Sequence, residues 1–290
     1  MPVSSFIRLV LLAAIWGGSF LFMRIATPSL GPAWVAGSRV TLAAIFLAVV
    51  AIVLGKQLQA RRYWRHYFLL GLLNSAMPFL LFAYAAQTLS ASLLAILNAT
   101  SPMWGAVIAA LTGRQALSGK SVTGLGLGTI GVAILVGTDT GGISAHSLPA
   151  IAAALTASFC YGIASNYAAS APRLEPYNNA YGSMWAAVFI LLPVTALSPI
   201  TEVPSTGIVF AVLTLGIVCS GIAYLMYFRL IKDEGATSAL SVTYLVPLFG
   251  ILWGYLFLHE ALGWHTMIGA LVVLAGTMLV TGFSLRAFRR

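Results

Sequence analysis

Apolar runs of about 20 residues follow one another along almost the whole chain, broken only by short stretches rich in turn residues or charge. A helix of that length crosses a bilayer core, and its backbone polar groups are satisfied within the segment, as lipid requires. Marking each run and its interruption predicts ten spans, at 5–26, 33–54, 66–87, 92–112, 119–138, 148–170, 178–198, 206–229, 236–258 and 264–285. The run from Tyr67 to Leu111 is too long for one crossing and divides at its polar break, Gln87-Thr88-Leu89-Ser90. The other breaks include Pro28 to Pro32, basic Lys56 to Arg65, Asp139 to His146 and Arg229 to Glu234. A chain that is 60% hydrophobic and 7% charged, with mean hydropathy +0.97, is not a soluble domain. The first run is too long for a secretory signal and nine more follow, so it reads as a retained helix. Cys160 and Cys219 fall inside spans, and their spacing implies neither a disulfide nor a zinc site.

Basic residues set the orientation. With the amino terminus in the cytoplasm, the inner loops and ends collect Arg8, Lys56, Arg61, Arg62, Arg65, Arg114, Lys120, Arg173, Arg229, Lys232, Arg286, Arg289 and Arg290. The outer loops collect none, as the rule that cytoplasmic loops retain Lys and Arg demands. Both termini are expected in the cytoplasm of a bacterium whose inner membrane holds the chain. The net charge of +9 is thereby a matter of topology, and no nucleic-acid partner is implied by basic residues scattered among short loops.

A gapless internal repeat divides the chain into 1–145 and 146–290. A shift of 145 residues aligns Gly17 with Gly162, Gly37 with Gly182, Gly71 with Gly216, Gly105 with Gly250, Gly124 with Gly269, Gly131 with Gly276 and Gly137 with Gly282. With 16 glycines in the first half and 12 in the second, chance placement would give about one such pair. Pro102 also meets Pro247. Five spans per copy is an odd number, so the second copy must enter the membrane from the opposite face. The expected fold is an all-α integral membrane protein of ten transmembrane helices, built as two inverted five-helix repeats. That is the recurrent plan of secondary transporters, in which two related halves expose one midplane site to either side in turn. A duplication used only to build a stable bundle is the other reading.

Trp16-Gly17-Gly18-Ser19-Phe20, Arg39, and Ser90-Ala91-Ser92 through Asn98 to Pro102 mark the first copy. Gly235-Ala236-Thr237-Ser238 through Pro247, His259-Glu260-Ala261-Leu262, and Gly269 to Gly276 mark the second. Together they resemble the EamA-type carriers of the drug/metabolite transporter superfamily, over essentially the whole chain. The first copy departs from the pattern with Arg114-Gln115 where a Gly-Glu pair is usual, which removes any role for a carboxylate there. Within the family the chain is most similar to the YddG-type exporters of aromatic and other neutral amino acids. That resemblance implies efflux of a small molecule, an amino acid or related metabolite, through a central cavity lined by both copies.

The repeat also proposes the lining. Trp16 lies opposite Tyr161, Phe79 opposite Tyr224, Phe82 opposite Tyr227, and Asn98-Ala99 opposite Thr243-Tyr244. A pocket for an amphipathic solute wants aromatic faces for the apolar body and a few hydroxyl or amide groups for the polar end. Asn74, Pro78 and Phe82 share one helical face by their spacing of four, and Asn98 and Ser101 share another. Lipid contact or plain helix packing is the other reading of each aromatic, and an interhelical bond is that of Asn98. Pro78, Pro102 and Pro247 each remove a backbone hydrogen bond in mid-span, and Gly105 and Gly250 follow three residues after the last two. These Pro-x-x-Gly segments are expected to be gate hinges or else static kinks. Gly124, Gly126, Gly128, Gly131, Gly269 and Gly276 form small-residue stripes for helix packing, with a dimer contact as a second use, so monomer and homodimer both stay open. Arg24 and Arg39, near the outer ends of their helices, are expected to snorkel to the headgroups, or to hold an outer gate by pairing with an acidic residue such as Glu202.

No Asp or Glu falls near the middle of a span, and the four histidines are placed at helix ends or in loops. Proton-driven exchange normally needs a titratable group inside the membrane, so uncoupled, gradient-driven export is favoured, with proton-coupled drug or metabolite efflux as the alternative. Catalysis is not expected. A lipid-handling protein or membrane enzyme would need a nucleophile–histidine constellation or an HExxH zinc motif, and neither occurs in the spans. No cofactor or metal is called for.

Overall fold

The computed structural model describes residues 2–139, 147–172, 174–200, 203–235, 239 and 241–282, and every regular element among them is helical. Seven helical segments are long and apolar enough to cross a membrane, and two shorter apolar helices accompany them at Gly119–Leu135 and Val242–Leu258. Helix α1, Val3–Val53, has 51 residues, on the order of 75 Å if straight, against a bilayer core of about 30 Å. It is two arms. The only non-helical residue inside it is Gly31, whose φ of 75° other residues rarely adopt. The expected turn from Pro28 to Pro32 therefore shrinks to one residue, with both prolines kept in helix. The arms lie side by side, since Met23 and Arg39, eight residues to either side of Gly31, touch.

The next segment runs through α2, Ala60–Gly71, a π-helical stretch, Leu72–Ala76, and α3, Met77–Ala85. Then come α4, Ala91–Asn98, and α5, Ser101–Leu111. These are the two pieces of the expected 92–112 span, parted at Ala99 and Thr100 with Pro102 in the first turn of α5. The carbonyls freed by that break are claimed by hydroxyls: Leu97 by Ser158 and Thr100, Asn98 by Ser101, and Ala99 by Thr277. Backbone can break within an apolar segment only where such partners are at hand. α6 spans Gly119–Asp139, α7 Leu148–Ser170 and α8 Pro176–Leu197. α9, Thr206–Leu213, leads into a second π stretch, Thr214–Ile222, and α10, Ala223–Glu234. α11 is Val242–Leu258 and α12 Trp264–Thr281, which Gly282 ends short of the expected residue 285. Arg173, Glu202, Ala236, Thr237, Ser238 and the terminal arginines lie outside the described residues.

Contacts between the halves come in pairs that the 145-residue shift exchanges. A Cβ on Gly17 would stand 2.9 Å from Gly250 N, and one on Gly162 would stand 2.9 Å from Gly105 N. A Cβ on Gly124 would meet the Gly276 carbonyl at 2.6 Å, and one on Gly131 the Gly269 carbonyl at 3.0 Å. The glycine stripes of α6 and α12 thus face each other inside the chain, and Gly124, Gly131, Gly269 and Gly276 are spent on that contact rather than on a second protomer. One buried cluster joins the first arm of α1 with α3, α4, α7, α11 and α12, and a second joins the other arm, Phe79 and α8.

Candidate solute site between the halves

The two π stretches occupy the same register of the repeat, because Leu72–Ala76 shifted by 145 falls at 217–221, inside Thr214–Ile222. A π turn slips the side chains after it out of α register, and such turns recur at functional sites. Here they turn Asn74 and Ser220 to the interior. Asn74 Nδ2 donates to the Tyr224 hydroxyl at 3.0 Å. Ser220 Oγ donates to the Leu215 carbonyl five residues back, at 3.0 Å, and accepts from Arg39 Nε at 2.9 Å. The Asn74–Tyr224 and Arg39–Ser220 bonds each join a residue of 1–145 to one of 146–290.

Arg39 is 5% exposed, which overturns the expectation that it snorkels outward. Its guanidinium carbon lies 3.7 Å from the centroid of the Phe79 ring, and Nη1 reaches Met23 Sδ at 3.8 Å. Tyr161, Tyr224 and Cys219 are close enough to act on its charge. Among the described residues the ion pairs are Arg8–Asp233, Lys56–Glu175 and Arg229–Asp233, and Arg39 is in none of them.

Aromatic rings continue from this cation. Trp16 meets Tyr227 at 5.3 Å and Tyr224 at 6.4 Å between centroids. Phe82 is buried against Phe20 at 5.5 Å and stacks on Tyr161 at 6.3 Å. Trp16, Asn74, Tyr161, Tyr224 and Tyr227 are half-buried among the surrounding helices. Eight of the sequence-chosen positions, Trp16, Asn74, Phe79, Phe82, Tyr161, Tyr224, Tyr227 and Arg39, therefore converge on one place.

Others go elsewhere. Asn98 is half-buried at the end of α4, and Ser101 spends its hydroxyl on the Asn98 carbonyl at 2.6 Å. The Tyr244 hydroxyl bonds Thr281 near the end of α12. Pro78 lies in the first turn of α3, separated from the first π stretch by one residue, and Pro247 lies inside α11. Gly105 and Gly250 take part in the close helix contacts already described. Arg24 donates to the carbonyls of Ala86 and Gln87, both at 2.7 Å, closing the end of α3. It borders a cleft of about 460 Å³ lined by Pro28, Thr88, Ser90, Leu258 and Glu260.

The sequence marks Glu260 only as part of the His259–Leu262 motif and puts His66 at a helix end or in a loop, without the contacts that each makes. His259, in the left-handed region at φ 53°, turns the chain so that Glu260 folds back onto α4. Its carboxylate accepts from Ala91 N at 2.6 Å, Ser92 N at 3.1 Å and Ser92 Oγ at 2.5 Å, linking the second half to the first at that cleft. His66 is not at an open helix end: it is buried in α2, with its two ring nitrogens each 2.9 Å from Tyr167 Oη and Asn179 Oδ1.

Apolar helices of crossing length around a polar, aromatic interior define a multi-pass membrane protein. The model of the EamA-like transporter family matches residues 4–137 and again 148–282. The chain belongs to that family, within the drug/metabolite transporter superfamily. It is 27% identical over 293 residues to an uncharacterised transporter of Archaeoglobus fulgidus, covering 97% of this chain and 98% of that one. It is 23% identical to the transporter YoaV of Bacillus subtilis, over 96% and 97% of the two chains. A probable terminal-alkyne amino-acid exporter of Streptantibioticus cattleyicolor is 24% identical, over 94% and 91%. A solved crystal structure superposes with TM-score 0.70 at 17% identity, covering 100% of this chain and 99% of the other, and so shares the fold.

Proposed function

We propose that this transporter exports small amphipathic metabolites, foremost aromatic and other neutral amino acids, from the bacterial cytoplasm. The observation that carries the reading is the cluster in which Arg39, Asn74 and Ser220 stand among Trp16, Phe79, Phe82, Tyr161, Tyr224 and Tyr227, with both halves contributing. It offers polar groups for one end of a solute and ring faces for the other. The name of the Streptantibioticus relative points to the same class of cargo. Transport is by alternating access between two inverted five-helix copies, ten spans in all, with Pro78, the Pro102–Gly105 pair and the Pro247–Gly250 pair as bending points and Arg24 at the outer opening. Supporting the inverted plan is the exchange of glycine contacts under the 145-residue shift, which a two-fold axis through the membrane plane would produce. Supporting cytoplasmic termini, the pairs Arg8–Asp233 and Lys56–Glu175 join residues that the charge rule assigns to one side. Cysteines introduced as Leu54→Cys and Pro199→Cys, equivalent in the repeat, should then label from opposite faces of the membrane. Labelling from the same face sinks the topology.

Export runs without a coupling ion in this reading, because no acidic residue of the described chain contacts this cluster. His66, buried between Tyr167 and Asn179, is the one observation favouring proton coupling instead. Counterflow of phenylalanine, tryptophan, threonine and methionine in proteoliposomes tests the cargo, and repeating it with a pH gradient tests the coupling. Flux of cationic dyes alone would overturn the amino-acid reading, and flux that follows the proton gradient would overturn the uniport.

A further inference from the structure

We infer that the solute is anchored through a single carboxylate on Arg39, and that the site asks for no positive charge beside it. This rests on the carrier reading above and redraws its substrate class: small monocarboxylates with an apolar body, whether or not they carry an α-amino group.

A guanidinium stays charged in a protein and presents five N–H donors in a rigid fork. Arg39 is almost wholly buried, yet its acceptors among the described residues are one hydroxyl, Ser220 Oγ at 2.9 Å, and one weakly accepting thioether, Met23 Sδ at 3.8 Å. The Phe79 ring covers one face of the guanidinium and offsets part of its desolvation. That still leaves a buried cation short of an anion, a costly arrangement when permanent. Ser220 holds the Nε edge, while the half-buried Tyr161 and Tyr224 sit close to the charge. A planar two-oxygen anion matches what the fork leaves open.

The charge count selects the anion. Among the described residues Arg39 is the one buried arginine or lysine, and the others are half-buried or exposed. One guanidinium balances one carboxylate and leaves a phosphate dianion half neutralised. The acidic side chains tell the complementary story. Glu175 and Asp233 are engaged in surface ion pairs, and Glu260 is bound to the start of α4. An α-ammonium group beside Arg39 meets hydroxyls and ring faces but, among the described residues, no carboxylate.

The test uses the unaltered protein in liposomes, with counterflow of labelled phenylalanine and three unlabelled competitors of nearly equal shape. Phenylalanine and 3-phenylpropionate should compete within about threefold of each other, whereas phenylalaninamide, which keeps the ammonium and loses the carboxylate, should be at least tenfold weaker. Equal competition by phenylalaninamide, or failure of 3-phenylpropionate, overturns the inference and leaves the carrier reading standing. Absence of any counterflow, with the protein still folded by thermal unfolding in detergent, overturns the carrier reading itself. As a second arm, Arg39→Lys should keep the preference for carboxylate over amide at reduced affinity, and Arg39→Gln should abolish the preference. A preference unchanged in Arg39→Gln counts against the inference.

Discussion

Gly17 of α1 packs backbone to backbone on Gly250 of α11, and Gly162 of α7 makes the equivalent contact with Gly105 of α5. Both glycines of the second contact are the repeat partners of those in the first, so the two halves grip one another through the same surface used twice. Such self-complementary contact is what a two-fold relation imposes on any pair of like units.

The equivalence is not complete, and a pair of substitutions exposes the difference. A Cβ on Gly250 would lie 2.3 Å from Ala95 Cβ, whereas one on Gly105 finds Ser165 Oγ at 3.4 Å and no closer neighbour. Gly250→Ala should cost about 1–3 kcal/mol by overpacking, with a lowered thermal midpoint in detergent. Gly105→Ala should be near neutral, since the gain in helix propensity balances a small adjustment. Equal midpoints for the two would refute this account. Transport by Gly105→Ala then reports on the hinge without interference from misfolding, which Gly250→Ala cannot do.

The stripe on α6 carries its own control. Gly124 faces the Gly276 carbonyl, a backbone atom with nowhere to go, whereas a Cβ on Gly126 meets nothing within 4 Å. Gly124→Ala should destabilise by about 1–3 kcal/mol and Gly126→Ala by less than about 0.5 kcal/mol. Thermal unfolding of the pair side by side checks it, and an equally stable Gly124→Ala protein would show that α6 and α12 do not meet as described.

Much of this architecture is legible in the chain because lipid enforces it: apolar length places the helices, and the glycine register pairs the halves. The convergence of Trp16, Asn74, Tyr161, Tyr224 and Tyr227 is legible in part through the same register, which pairs Trp16 with Tyr161, Phe79 with Tyr224 and Phe82 with Tyr227. Arg39 is misread for a physical reason. Six residues from a helix start it looks shallow, but the hairpin at Gly31 lays it against Met23 and the π stretch turns Ser220 toward it. A π turn has no composition of its own, and Leu72–Ala76 and Thr214–Ile222 share only the aligned Ser75 and Ser220. Glu260 is hidden likewise, because its reach to α4 depends on a left-handed His259 that no residue type announces.

On the side that the charge rule makes cytoplasmic, Asp233 receives Arg229 at 3.0 Å from its own helix and Arg8 at 2.7 Å from the first half. The carboxylate faces solvent, so the pair to Arg8 adds little to stability and is screened by salt. Its influence should appear as bias between conformations rather than as stability. Asp233→Asn should raise labelling of a cysteine introduced at Trp16 from the Asp233 side by about threefold, and high salt should reproduce the effect in the unaltered protein. If neither changes the labelling rate, the contact between Arg8 and Asp233 does not hold that side closed.

At the opposite opening, Glu260 joins α4 by three hydrogen bonds to an ionised acceptor, the stronger kind, at a half-buried position. Glu260→Ala leaves Ala91 N and Ser92 N without that acceptor and should cost about 1–3 kcal/mol. Ser92→Ala removes one bond of the three and should cost about 1 kcal/mol. Because the residues touch, the double variant should be less destabilised than the sum of the singles, and the shortfall measures their coupling. Additive losses in thermal unfolding would mean that Glu260 acts on something other than the start of α4. A coupled loss, joined to faster entry of label into the cleft beside Arg24, would make this junction the outer latch between the halves.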